Sequence, residues 1–239
     1  MIKNNKAFTN FPKIWFFDME GTILKKDISL DNGKVAPSAW TVLAKELGEQ
    51  CYLEEEKTKD KWLNGEYIGY LDWMKDTVEI HKKYGLTEDI LGKITNNSEL
   101  QQGAIELLSF LKTKGVTTAL ITGGFKCLAD KVQRKLKIDH VLSGCEYFFD
   151  NSGNLEFYNL LPSDNEGKVT FMQQIAAEHG VSPSECIFIG DGKNDIYLAE
   201  KVGVSVAFNA QIELQRTATH ILNQKNGEEN LLSILDLLT

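Results

Sequence analysis

The sequence predicts an α/β fold: a doubly wound, mainly parallel sheet, with a helical unit inserted after the first strand and a β-hairpin further along. Three observations carry that expectation. Short β-branched or aromatic runs alternate with amphipathic helical stretches, the order that winds helices onto both faces of a parallel sheet. The first run, IWFF at residues 14–17, is apolar throughout, as suits a strand buried on both faces. Three of the runs stop at Asp18, at Thr122 with Gly123 and Gly124, and at Asp191. The carboxyl ends of parallel strands are where open α/β sheets place their ligands.

Taken in order, IWFFDMEGTIL sets Asp18 at the end of the first strand. If the backbone stays extended, Asp18 and Glu20 point to the same side, because strand side chains alternate. Two acids in one cleft repel; one then keeps its proton, or a divalent cation lets the nearer one stay ionised. The segment reads equally as a strand end followed by an acidic turn bending at Gly21. Beyond it the texture becomes charged and aromatic, and AWTVLAKELG and IGYLDWMKDTVEIHKKYG carry apolar residues at helical spacing. Residues 26–97 are therefore expected to form a helical insertion, with residues 1–25 and 98–239 forming the core domain. EEEKTKDK, residues 54–61, reads as a solvated helix face.

QGAIELLSFLKTKG is an amphipathic helix ending at Gly115, and VTTALIT is the next strand. After Thr122 a helix is expected to open through Gly123 and Gly124, running into KCLADKVQRKLKI. HVLSGCEYFFD and LEFYNLL flank the turn-forming NSGN as a hairpin, and KVTFMQQIAAEHG is a helix stopped by Gly180. CIFIGD, VSVAF and THIL are the remaining strands.

Composition excludes several classes of function. The net charge is −8, with pI near 5.1 and no lysine or arginine cluster, so nucleic acid and anionic membrane surfaces are poor partners. MIKNNKAFTNFPK lacks the apolar centre of a secretory signal, and no run approaches the ~20 apolar residues of a transmembrane helix; the expected location is cytoplasmic. Cys51, Cys127, Cys145 and Cys186 are scattered and read as reduced, mostly buried thiols. His81, His140, His179 and His220 show no ligand spacing and read as structural or surface residues. Acid and base work falls to carboxylates.

The strand ends fit phosphoryl transfer, which needs an in-line nucleophile, cations for the equatorial oxygens and an acid for the leaving group. Asp18 can attack, Thr122 with the Gly123 and Gly124 amides can hold oxygens, Lys168 can supply positive charge, and Asp191 can bind Mg²⁺ through oxygen. Each also has an ordinary structural use. Gly-Gly can be a plain turn, Lys168 a solvated lysine, Asp195 a helix N-cap and Asn194 a turn residue.

DMEGT, ITGGF, the downstream Lys168 and IGDGKND, in that order, resemble the four signature segments of the haloacid dehalogenase superfamily. TGGF and GDGKND followed by VSVAFNA are most similar to its phosphoserine phosphatase branch, and the resemblance covers residues 14–24 and 101–238. It implies a Rossmann-like core whose helical cap closes over a small phosphate ester. It further implies Mg²⁺ held by Asp18, the Glu20 carbonyl and Asp191, an aspartyl-phosphate on Asp18, and Glu20 as acid and then base. Thr122, Gly123, Gly124, Lys168 and Asn194 are implied to hold phosphate, with Asp195 supporting the metal shell or Lys168.

Two departures stand out. The usual second acid is aspartate, and Glu20 is longer by a methylene, in a site where about 1 Å matters. A cap arginine is expected to grip a phosphoserine carboxylate, yet the only arginines are Arg134 and Arg216, and Met74 stands where it belongs, with Lys75 beside it. The cap is instead rich in tryptophan and tyrosine, and with Asp27, Trp73 and Met74 as candidate substrate contacts the leaving group is expected to be aromatic or amine-bearing. A phosphotransferase using the same intermediate, a dehalogenase, and a phosphate-binding regulator impaired by Glu20 are the competing readings.

Overall fold

The computed structural model describes residues 11–238, so most of the N-terminal stretch read above as lacking a secretory signal lies outside the described residues. The sheet is the expected one. Among the described residues it has seven strands: β1 (Ile14–Phe17), β2 (Thr117–Phe125), β3 (His140–Phe149), β4 (Leu155–Leu160), β5 (Cys186–Gly190), β6 (Val204–Phe208) and β7 (His220–Leu222). Their order is β4-β3-β2-β1-β5-β6-β7, parallel except where β4 closes the hairpin against β3. Alternation along the central strands divides the core between the two faces. Trp15, Phe17, Leu120 and Ile189 face one way, with α5 (Ala104–Thr113) and α6 (Lys126–Leu136); Ile14, Phe16, Ile121 and Phe188 face the other, with α7 (Glu166–Glu178) and α8 (Ile196–Ala199).

The chain leaves the core after β1 and returns beside itself, with Leu24 bridging Leu100 in antiparallel fashion. Between these points lie α1 (Ala39–Glu46), α2 (Glu49–Leu63), α3 (Tyr70–Lys83) and α4 (Glu88–Asn97), of which the first three share a small cluster of Ala44, Cys51 and Ile80. No helix among the described residues is long and apolar enough to cross a membrane.

Two local expectations need correction. The helix expected to open at Gly123 starts at Lys126, because β2 keeps pairing with β3 through a register shift that sets Phe125 opposite Cys145. The Gly123 carbonyl lies so close to Gly144 that a Cβ there would stand 2.5 Å from it. The charged run at residues 54–61 is not wholly solvated either. Glu55 is 1% exposed, paired with Lys59 at 3.0 Å and with His81 Nε2 at 3.1 Å, and His81 Nδ1 meets the Tyr147 hydroxyl at 2.9 Å.

Candidate active site

Register brings the strand ends together. Phe17 is level with Leu120 of β2 and Ile189 of β5, so Asp18 follows at the centre of the sheet with Thr122 on one side and Asp191 on the other. Its N–H extends the ladder to Ile189 O at 2.9 Å. Lys168, in the first turn of α7, is fully buried, not solvated. Its ammonium donates to Asp18 Oδ1 at 2.6 Å and Asp195 Oδ1 at 2.5 Å, with Asp164 Oδ1 3.7 Å away. Asp195 makes no cap bond to α8; its Oδ2 instead accepts the Asp191 and Gly192 N–H groups at 3.1 and 3.0 Å, fixing the loop that carries Asp191.

Glu20 Oε2 accepts the Ala39 N–H at 2.5 Å. Burial pushes its carboxyl up to about 7, against the pull of Lys26. Thr122 is buried, and its hydroxyl oxygen accepts the Gly124 N–H at 3.0 Å, which leaves its own proton free to donate outward. Its carbonyl accepts the Ser163 hydroxyl at 2.7 Å. Asn194 donates through Nδ2 to Asp164 Oδ1 at 2.7 Å. Lys26 donates to Asp191 Oδ2 at 2.7 Å, and the surrounding carboxylates raise its pKa. Gly21, at φ +79°, holds the bend where a side chain would collide with the Asp191 carboxylate.

Carboxylate oxygens of Asp18, Asp191 and Asp195 lie within 4.8 Å of one another. Counting Glu20 and Asp164, five acids face the two ammonium groups of Lys26 and Lys168. Burial raises the Asp191 and Asp164 carboxyls and lifts Asp195 to about 7. An excess of acid over base made only of oxygen donors is the chemistry of a hard divalent cation, so the residues fit Mg²⁺. Asp18 and Asp191 suit it better than Asp195, whose oxygens are committed to Lys168 and two amides.

Asp27, Trp73 and Met74 share no hydrogen bond or ion pair with this cluster. Asp27 is exposed, Trp73 stacks on Trp62 with its indole N–H on Thr58, and Met74 packs in the main core. Arg134 and Arg216 lie on α6 and on α9 (Ile212–Thr217), outside α1–α4. Lys26, Asp164, Tyr70 and Trp40 were not singled out as site residues from the sequence, yet all reach the site. A Cβ on Gly123 would stand 2.6 Å from the Tyr70 hydroxyl and 2.8 Å from Asp164 Oδ2, and the Trp40 indole N–H donates to Gly123 O at 3.2 Å. The i,i+4 spacing of Asp164 and Lys168 is the one local signal among them.

The sequence pattern of the haloacid dehalogenase-like hydrolases matches residues 12–203. A phosphoserine phosphatase from Archaeoglobus fulgidus is 29% identical over 226 residues, covering 92% of this chain and 59% of the relative. One from Lactococcus lactis is 31% identical over 160 residues, covering 64% of this chain and 69% of the relative. The chain thus spans about three fifths of the archaeal relative's length. A solved structure described as a phospho-aspartyl intermediate analogue of phosphoserine phosphatase aligns with TM-score 0.72 and 21% identity, covering 96% of this chain and 100% of that one. At that identity the likeness shows the fold.

Proposed function

We propose, on the premise that this chain belongs to the haloacid dehalogenase-like hydrolases, that it is a Mg²⁺-dependent phosphatase hydrolysing a small phosphomonoester by way of a phosphoryl group carried on Asp18. The observation that carries this reading is the buried Lys168 ammonium, bound at once to Asp18 and Asp195 beside Asp191, at the carboxyl ends of adjacent parallel strands. A lysine so placed neutralises anions.

With Oδ1 of Asp18 on Lys168, its other oxygen attacks phosphorus in line. The Thr122 hydroxyl and Gly123 amide hold phosphate oxygens, and Lys168 and Lys26 offset their charge. Mg²⁺, held by Asp18, Asp191 and the Glu20 carbonyl, would add Lewis-acid neutralisation at the same oxygens. As the phosphorus–oxygen bond to the leaving group breaks, its electrons pass to the departing oxygen and Glu20 supplies the proton. A carboxyl held at about 7 is protonated often enough for this at neutral pH. Glu20 then takes a proton from water, whose oxygen attacks the same phosphorus, releases phosphate and restores Asp18. Asp18 is only 5% exposed, so substrate reaches it when the α1–α4 unit lifts from the core.

The relatives' names make O-phosphoserine the first substrate to try, although no arginine on α1–α4 offers a fork for its carboxylate. The test is phosphate release from a panel of phosphorylated metabolites, aryl and amine-bearing esters included, with Mg²⁺ and with EDTA. Release that Mg²⁺ supports and EDTA abolishes is expected. A protein that releases phosphate from none of them is not a phosphatase.

A further inference from the structure

The structure shows where the extra methylene of Glu20 goes. Its Oε2 reaches out of the core to the Ala39 N–H, the first residue of α1. Ser38 makes no side-chain cap bond and the first turn of α1 carries no acid, so this carboxylate serves the open amide end of the helix from outside. Its Oε1 occupies space left by Gly124, where a Cβ would stand 2.9 Å away. The next residue, Trp40, packs 4.5 Å from Phe125 and donates to Gly123 O. The start of α1 therefore holds the acid through one residue and strand β2 through the next.

We infer that the Ala39 N–H is the positioning group for the Glu20 proton donor, aiming the acid at the leaving oxygen only while the start of α1 rests on the core. This builds on the phosphatase reading above and gives glutamate, in place of the shorter aspartate, a use. An aspartate would fall about one bond length short of the amide, a distance that matters to positioned catalysis. The proton transferred is the Glu20 carboxyl proton, and it goes to the oxygen that takes the electrons of the broken phosphorus–oxygen bond. Ala39 touches neither reacting atom and acts through Glu20.

Ala39→Pro deletes that one hydrogen. Proline is well tolerated at the first helical position, and Ser38, at φ −160° and ψ 166°, already has the extended backbone that proline imposes on its predecessor. Ala39→Gly keeps the N–H and is the control. Both variants and the parent chain are assayed with Mg²⁺ on a simple alkyl phosphate, whose alkoxide needs a proton to leave, and on p-nitrophenyl phosphate, whose phenolate does not. Ala39→Pro is expected to lower kcat/KM on the alkyl ester, which reports the steps through departure of the leaving group and not the later attack of water, about 10- to 100-fold, a part of what a general acid contributes. Its kcat/KM on the aryl ester should stay within about twofold, and Ala39→Gly should match the parent on both. A parental alkyl-to-aryl ratio in Ala39→Pro, or an equal loss on both esters, overturns the inference. If Ala39→Pro fails to fold by circular dichroism, a backbone ester at residue 39 removes the same hydrogen without the ring, and the same ratio decides. A parent chain that cleaves neither ester would contradict the phosphatase reading instead.

Discussion

Lys168→Met tests the electrostatics of the site most severely. The ammonium is fully buried, 2.6 Å from Asp18 Oδ1 and 2.5 Å from Asp195 Oδ1, and a thioether leaves both acids in place with no counter-charge. Unit charges 4 Å apart attract by about 4 kcal/mol at an effective dielectric near 20. Removing one partner of a buried pair costs about 3–5 kcal/mol, because the other charge stays behind. For a chain of this size each kcal/mol lowers Tm by about 2–4 °C, so the metal-free variant should melt roughly 6–20 °C below the parent at pH 7. The pH dependence has a definite sign. Asp195 already sits at about 7 through burial, and losing Lys168 raises it further, so the folded variant takes up protons before the unfolded chain does. Acidification to about pH 5 should therefore narrow the gap. Lys168→Met with Asp195→Asn should recover part of it at pH 7. Differential scanning calorimetry after EDTA treatment reads all three quantities. A single variant melting within about 2 °C of the parent at pH 7 would refute the reasoning.

Gly21→Ala drives a methyl group into the Asp191 carboxylate at a residue with φ +79°. It should weaken Mg²⁺ binding about 10- to 100-fold by titration calorimetry, as displacing a ligand's support does, and unchanged affinity would remove Asp191 from the cation site. Glu20 and Asp195, both raised to about 7 by burial, bind protons in the folded chain that the unfolded chain has released, so metal-free stability should fall as pH climbs from about 4.5 to 7. A cation held by Asp18 and Asp191 competes with protons for the Asp191 carboxyl, which burial raises, so it should raise Tm little near pH 5 and more near pH 7.5. An equal Mg²⁺ shift at both would contradict that assignment.

How much of this was legible in the sequence follows from what each signal depends on. IWFF and CIFIG announced central strands because burial on both faces leaves no room for polar residues. Asp18, Lys168 and Asp191 could be singled out because each follows a strand or opens a helix, and Thr122 because it closes the β-branched run VTTALIT, all of them signals set by local pattern. Gly123 and Gly124 misled because local glycine suggests a helix start, whereas pairing with β3 keeps them extended. Lys26, Tyr70 and Trp40 were opaque for a different reason. Their role arises only when α1–α4 fold back over the sheet, and on the chain they look like a solvated lysine and two aromatics among many. Glu55 hid in a charged run, since nothing nearby in sequence points to His81 as its partner.

The central claim, that Asp18 carries the phosphoryl group, is tested most directly by acid-quenching the enzyme during turnover and mapping its peptides by mass spectrometry. One added phosphoryl group is expected on the peptide containing Asp18, absent from a folded Asp18→Asn variant that releases no phosphate. Phosphate release by that variant at the parental rate, or a phosphoryl group trapped on another residue, would contradict it.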